Sequence, residues 1–121
     1  MDIRRTESYD EQIGNREVCN CASCQNDVQE IKAAYPDIAD YLFSLGIDIE
    51  KPFETMPLEP DETGQLEYLS VQYLVWGEPD DFVKTLVGSV TVDVAGAHPS
   101  TQINEAHFVL EIHPIRLKWV M

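Results

Sequence analysis

The chain has 121 residues, 44% of them apolar, with 22 acidic residues against 8 basic ones and a formal net charge of -14. That length suits one domain and excludes two ordinary ones, and that apolar share excludes wholesale disorder. The charge disfavours nucleic-acid phosphates and anionic lipid and favours basic proteins and cations, while no apolar run approaches the ~20 residues that span a bilayer.

Residues 1–18 are polar, carry Arg4, Arg5 and Arg16, and show no apolar period. They read as a flexible or loosely packed arm ahead of one domain over residues 19–121. They lack the apolar stretch of a secretory signal, so a cytoplasmic protein is expected.

Cys19-x-Cys21-x-x-Cys24 follows. Thiolates bind soft and borderline metals, and this spacing lets two or three sulfurs converge, which makes the cluster a candidate zinc site. A closed zinc site takes four ligands, and His98, His107 and His113 lie more than 70 residues downstream. The Cys21–Cys24 pair also sits at a predicted helix start, where the dipole lowers a thiol pKa and favours redox chemistry. Three inert thiols are the plain alternative, and spacing does not choose among the three.

From Cys24 to Leu45, the apolar residues Val28, Ile31, Tyr35, Ile38, Leu42 and Leu45 recur at helical spacings. Asp27, Glu30, Asp37 and Asp40 occupy an adjoining arc, so one side is expected to bury apolar groups and another to show carboxylates. Ser23 is the expected cap and Gly46 the expected stop. Pro36 makes the segment either one kinked helix or two, with the proline opening the second.

Residues 47–65 hold Pro52, Pro57, Pro60 and Gly64 and read as a loop. Residues 66–76 alternate as a strand, with Leu69, Val71, Tyr73 and Val75 on one side. A turn over residues 77–81 leads to a second strand, residues 85–94, with Val90, Val92 and Val94 inward. Residues 106–113 form a third, with Phe108, Leu110 and Ile112 inward and His107, Val109, Glu111 and His113 outward. Pro114 breaks the ladder, and the apolar parity flips across it, as a bulge or a turn into a fourth strand requires. With no helical stretch between strands, the expected fold is α+β: N-terminal helices on one face of a three- to four-stranded antiparallel meander.

Catalytic motifs are missing from the sequence: there is no nucleophile elbow, phosphate loop, dinucleotide fingerprint or metalloprotease helix. Glu111 and His113 share a strand face, and His98 lies beside Ser100 and Thr101, but solvated surface residues explain both arrangements. A small hydrolase or isomerase using His98, His107 or His113 is the least supported reading. The carboxylates instead gather near aromatics, namely Tyr35, Tyr41, Phe43, Phe53, Trp76 and Phe82. Carboxylates around buried aromatic anchors suit a basic protein partner, since charge steers encounter and aromatics hold the complex. The residues expected to meet that partner are Asp37, Asp40, Tyr41, Asp61, Glu62, Trp76, Asp80 and Asp81. The leading expectation is therefore a non-enzymatic module that docks a basic protein, as a bacterial immunity protein or antitoxin does. The alternative is a zinc-binding or thiol-redox protein acting through Cys19, Cys21 and Cys24.

Overall fold

The computed structural model describes residues 3–8, 22–58, 62–78, 82–98, 101 and 106–118. Among them are three helices, all N-terminal, and one six-stranded antiparallel sheet. Helix α1 spans residues 3–8, α2 Ala22–Ala34 and α3 Pro36–Ser44. The strands are β1 Glu54–Pro57, β2 Gln65–Trp76, β3 Thr85–Val87, β4 Val90–Val94, β5 His107–His113 and β6 Ile115–Lys118.

Pro36 separates two helices rather than kinking one, and it opens α3 as its first residue. Tyr35 before it takes an extended φ of -131° because the proline ring crowds the helical conformation there. The Tyr35 hydroxyl accepts from the Arg116 amide at 2.9 Å and lies 3.2 Å from the Arg116 carbonyl, which ties the helix junction to β6. Helix α2 already includes Ala22, so Ser23 lies inside it and is not its cap. The expected seam holds in its centre: Ile31, Ile38 and Leu42 are buried, while Tyr35 and Leu45 pack at the edge. The expected carboxylate arc does not hold at Asp27, which is fully buried.

Within the stretch read as a loose arm, residues 3–8 are helical and Thr6 is buried. Its Oγ1 accepts a hydrogen bond from the Trp76 amide at 3.0 Å, where β2 ends. No helix among the described residues is long and apolar enough to cross a membrane.

The sheet order is β1-β2-β5-β4-β3, with β6 also pairing β2. This departs from a simple meander, because β5 lies between β2 and β4 and β3 stands at an edge. Residues 47–65, expected as loop, contain β1, an edge strand paired with β2. The expected strand over residues 85–94 is a hairpin: Val87 pairs with Val90 across Gly88-Ser89, and Gly88 has φ +61°. A two-residue hairpin turn of the primed kind needs positive φ at its first central position, which glycine supplies without steric cost.

The parity flip at Pro114 has a counterpart in β2. Tyr68 pairs with Ile115 and Val71 with Ile112, and all four side chains lie in the main core. Between those pairs, Leu69-Ser70 faces His113-Pro114, so each strand holds one residue more than alternation requires. On the other edge, Thr55 pairs with Val71 and Pro57 with Tyr68, leaving Met56 alone against the same two residues. Seen from β1 this is a bulge in β2; from β5 and β6 the register is unbroken. Burial of large side chains such as Tyr68, Tyr73, Leu110 and Ile112 supplies the main stabilising term, at ~1.5–3 kcal/mol each for aliphatic groups of this size. A smaller cluster of Leu74, Trp76 and Val109 fills the opposite face of the sheet. Val109, expected outward, is therefore buried on that second face.

Candidate docking surface

Helix α3 ends where its last carbonyls find amide partners beyond the helix. The amides of Leu45 and Ile47 donate to the Leu42 carbonyl, and that of Gly46 to the Phe43 carbonyl. Gly46 has φ +81°, and a Cβ there would collide with the Ile3 carbonyl. Glycine is thus needed twice at this position, for its conformation and for the approach of α1. Helices α1, α2 and α3 and the segment after Gly46 border an open cavity of about 460 Å³. Its apolar part comes from Ala39, Ile47 and Ile49. Glu7, Asp40 and Asp48 line it with carboxylates, and Lys32 and Lys51 with ammonium groups. Lys51 Nζ lies 4.0 Å from Asp48 Oδ2, a loose surface pair that adds little stability.

Phe43 lines the same cavity and is 77% exposed. Helical phase explains this: its neighbour Leu42 points into the core, so Phe43 is turned away from it. An aromatic ring placed off the apolar seam was the signal in the sequence, one that Tyr41 shares; exposure marks Phe43 out from the other aromatics. Tyr35, Tyr41, Phe53 and Phe82 are half-buried against the two core clusters.

Of the residues expected to meet a partner, Asp40 lines the cavity. Asp37 is exposed on the first turn of α3, Tyr41 is half-buried, and Glu62 is exposed in the turn before β2. Trp76 is 5% exposed and belongs to the smaller core, so it is a packing residue and not a surface anchor. Asp61, Asp80 and Asp81 lie outside the described residues.

The histidines lie away from this cavity. His107 Nε2 and Thr101 Oγ1 are 2.6 Å apart, and the His107 ring lies 6.1 Å from that of Trp76. Burial, with the His98 charge adding to it, holds the His107 imidazole below its ordinary pKa. His98 is exposed and meets Phe53 edge-on at 6.5 Å. The Gln72 amide nitrogen donates to the Ala97 carbonyl at 3.0 Å, fixing the 95–98 segment over the sheet. His113 and Glu111 are 3.9 Å apart, partly solvated. A hydroxyl beside a neutral imidazole is the beginning of a nucleophile–base pair. None of the three histidines lines the cavity.

Cys19 and Cys21 lie outside the described residues, and Cys24 falls in the first turn of α2. One turn further along, Asp27 is fully buried, and neither carboxylate oxygen has a hydrogen-bond partner. Burial pushes its carboxyl up to about 8. Its neighbour Asn26, also buried, donates to the Lys118 carbonyl at 3.0 Å and fixes this end of α2 to β6. Among the described residues, no group of three His, Cys, Asp or Glu side chains is placed to hold a metal ion. Comparison of the chain with known family models, with curated proteins and with solved structures finds no match.

Proposed function

We propose that this chain is a non-enzymatic docking module for a basic protein. The observation that carries the reading is Phe43, exposed at the mouth of a cavity that also presents Glu7, Asp40 and Asp48. An exposed ring of this size leaves apolar area in water that a partner would cover. An apolar part bordered by three carboxylates against the two ammonium groups of Lys32 and Lys51 suits a lysine or arginine, whose aliphatic stem packs while its charged tip reaches the carboxylates. The Phe43 ring adds a face for the cation. The net charge of -14 speeds the approach of a cationic partner over many ångströms at low salt. The acidic charge suits a bacterial immunity protein or antitoxin, the sharpest form of this reading.

A photo-crosslinker at position 43 identifies the partner, and the purified pair then tests the reading. Binding is expected to weaken at least about tenfold between about 0.05 M and about 0.5 M salt. Phe43→Ser and Asp40→Lys are each expected to weaken it about as much again. Affinity indifferent to salt, or unchanged in Phe43→Ser, would sink the proposal.

A further inference from the structure

We propose that the uncovered half of the second sheet face, from Leu86 on β3 to Glu111 on β5, is a further docking surface whose occupant is a basic segment of a partner protein. The helices and the main core take one face of the sheet. On the other face, Leu74, Trp76 and Val109 are buried with Phe53 and Ala95 against them, and Gln72 ties Ala97 to that half. Register places the remainder. Leu86 pairs with Thr91 and Thr91 with His113, while Asp93 pairs with Glu111. Partners across a ladder share a face, and the interleaved Val90, Val92 and Ile112 lie in the main core. These five side chains therefore stand on the opposite side. Leu86 is 70% exposed, and the other four are half-buried.

Two features of this half work against the fold and suit a cation. Asp93 and Glu111 are directly opposite each other, and like charges in that position destabilise a sheet. Further along the same row, Gln72 pairs with Glu111 and Glu54 with Gln72, so three carboxylates and one amide cross four strands. Gln72 is fully buried, and its Oε1 has no hydrogen-bond partner. His113 Nε2 lies 3.9 Å from Glu111 and counters its charge only when protonated. A row this rich in acceptors is complemented by arginine, which carries five N–H donors in one plane. Leu86 supplies an apolar contact beside the charges. A second copy of the chain is a poor occupant, because each copy brings a net charge of -14. This face lies across the sheet from the helices that border the Phe43 cavity, and neither proposal depends on the other.

The probe is a peptide of ~10 residues alternating leucine and arginine, titrated at low salt into the full isotope-labelled chain. Amide shifts are expected at residues 86, 91, 93, 111 and 113. Affinity read from those shifts is expected to fall at least about fivefold in Leu86→Ser, and as much in a double variant carrying Asp93→Asn and Glu111→Gln. The double variant is also expected to raise the urea midpoint of the free chain, since it removes the facing charges. Phe43→Ser is expected to leave these shifts unchanged. Shifts absent from this face would overturn the proposal, and shifts confined to the Phe43 cavity would do so while leaving the first docking surface standing. Wild-type affinity in Leu86→Ser or in the double variant would overturn it too. So would a double variant whose urea midpoint is no higher than wild type, or a wild-type dimer that Leu86→Ser dissociates, which would give the face to a second copy.

Discussion

Thr6 and Trp76, 70 positions apart, are joined by one buried hydrogen bond of 3.0 Å from the Trp76 amide to the threonine hydroxyl. It caps the end of the longest strand with a side chain from the first helix. Thr6→Val keeps the shape and removes the acceptor, leaving the Trp76 amide inside without that partner. The expected cost is ~1–3 kcal/mol, read as a lower urea midpoint with an unchanged slope. A variant as stable as wild type would show that α1 contributes nothing through this bond.

Gly46 and Gly64 separate two demands on glycine. Both have positive φ, +81° and +79°, but only Gly46 has backbone where a Cβ would stand. Alanine at position 64 is expected to cost ~1–2 kcal/mol for the left-handed conformation alone. Alanine at position 46 is expected to cost more and to displace α1, exposing residues 3–8 to protease. Equal urea midpoints for the two variants would contradict the close approach of Ile3.

Asp27 makes stability depend on pH in an unusual direction. Its carboxyl is held up to about 8, against an ordinary value of 3.8, because burial disfavours the charged form. The native state therefore keeps a proton that the unfolded chain gives up. Its contribution is whole below the ordinary carboxylate range and is lost as pH rises toward about 8. Relative to Asp27→Asn, the wild-type chain is expected to lose stability on the order of a few kcal/mol between about pH 4 and about pH 8. Parallel urea titrations of the two chains across that range measure it; a constant difference between them would contradict the burial.

Phe43 and Asp40 are expected to matter for binding and not for folding. Both are exposed on α3, away from its buried face of Ile38, Ala39 and Leu42. Phe43→Ser and Asp40→Lys should each shift stability by less than about 0.5 kcal/mol. Thermal unfolding checks this, and a larger loss in Phe43→Ser would mean that the ring packs against the fold.

Helices α2 and α3 and the two central strands were legible because each buries a face with a clean period, whereas α1 lay in a stretch without one. Ile31, Ile38 and Leu42 mark one seam; Tyr73, Val75, Leu110 and Ile112 mark the others. Strand β1 was not, since Glu54-Thr55-Met56-Pro57 is a short edge whose pairing with β2 carries no alternation of its own. The β3–β4 hairpin hid inside a run of β-branched residues, though Gly88-Ser89 between valines was a usable turn signal. Strand order was not legible, because the β2–β5 pairing joins segments about 35 residues apart and leaves no local trace. At the candidate surface, Asp40 was singled out by its charge, and it lines the cavity. Trp76 was misjudged because a tryptophan ending a strand beside a turn has the same local pattern whether it is left bare or packed, as here, with Leu74, Val109, Phe53 and Ala95. Asp27 was misjudged because helical phase assigns a direction, not what stands in that direction.

The extra residue in β2 at Leu69-Ser70 is answered by one at His113-Pro114, so length in this part of the sheet is shared between distant segments. Removing Leu69 alone would turn half of β2 inside out against its neighbours; removing a residue at the facing position as well would restore agreement on that side. Single deletions here should therefore be lethal to the fold and matched ones tolerable. Related chains, where they vary in length at these positions, would be expected to vary at both together.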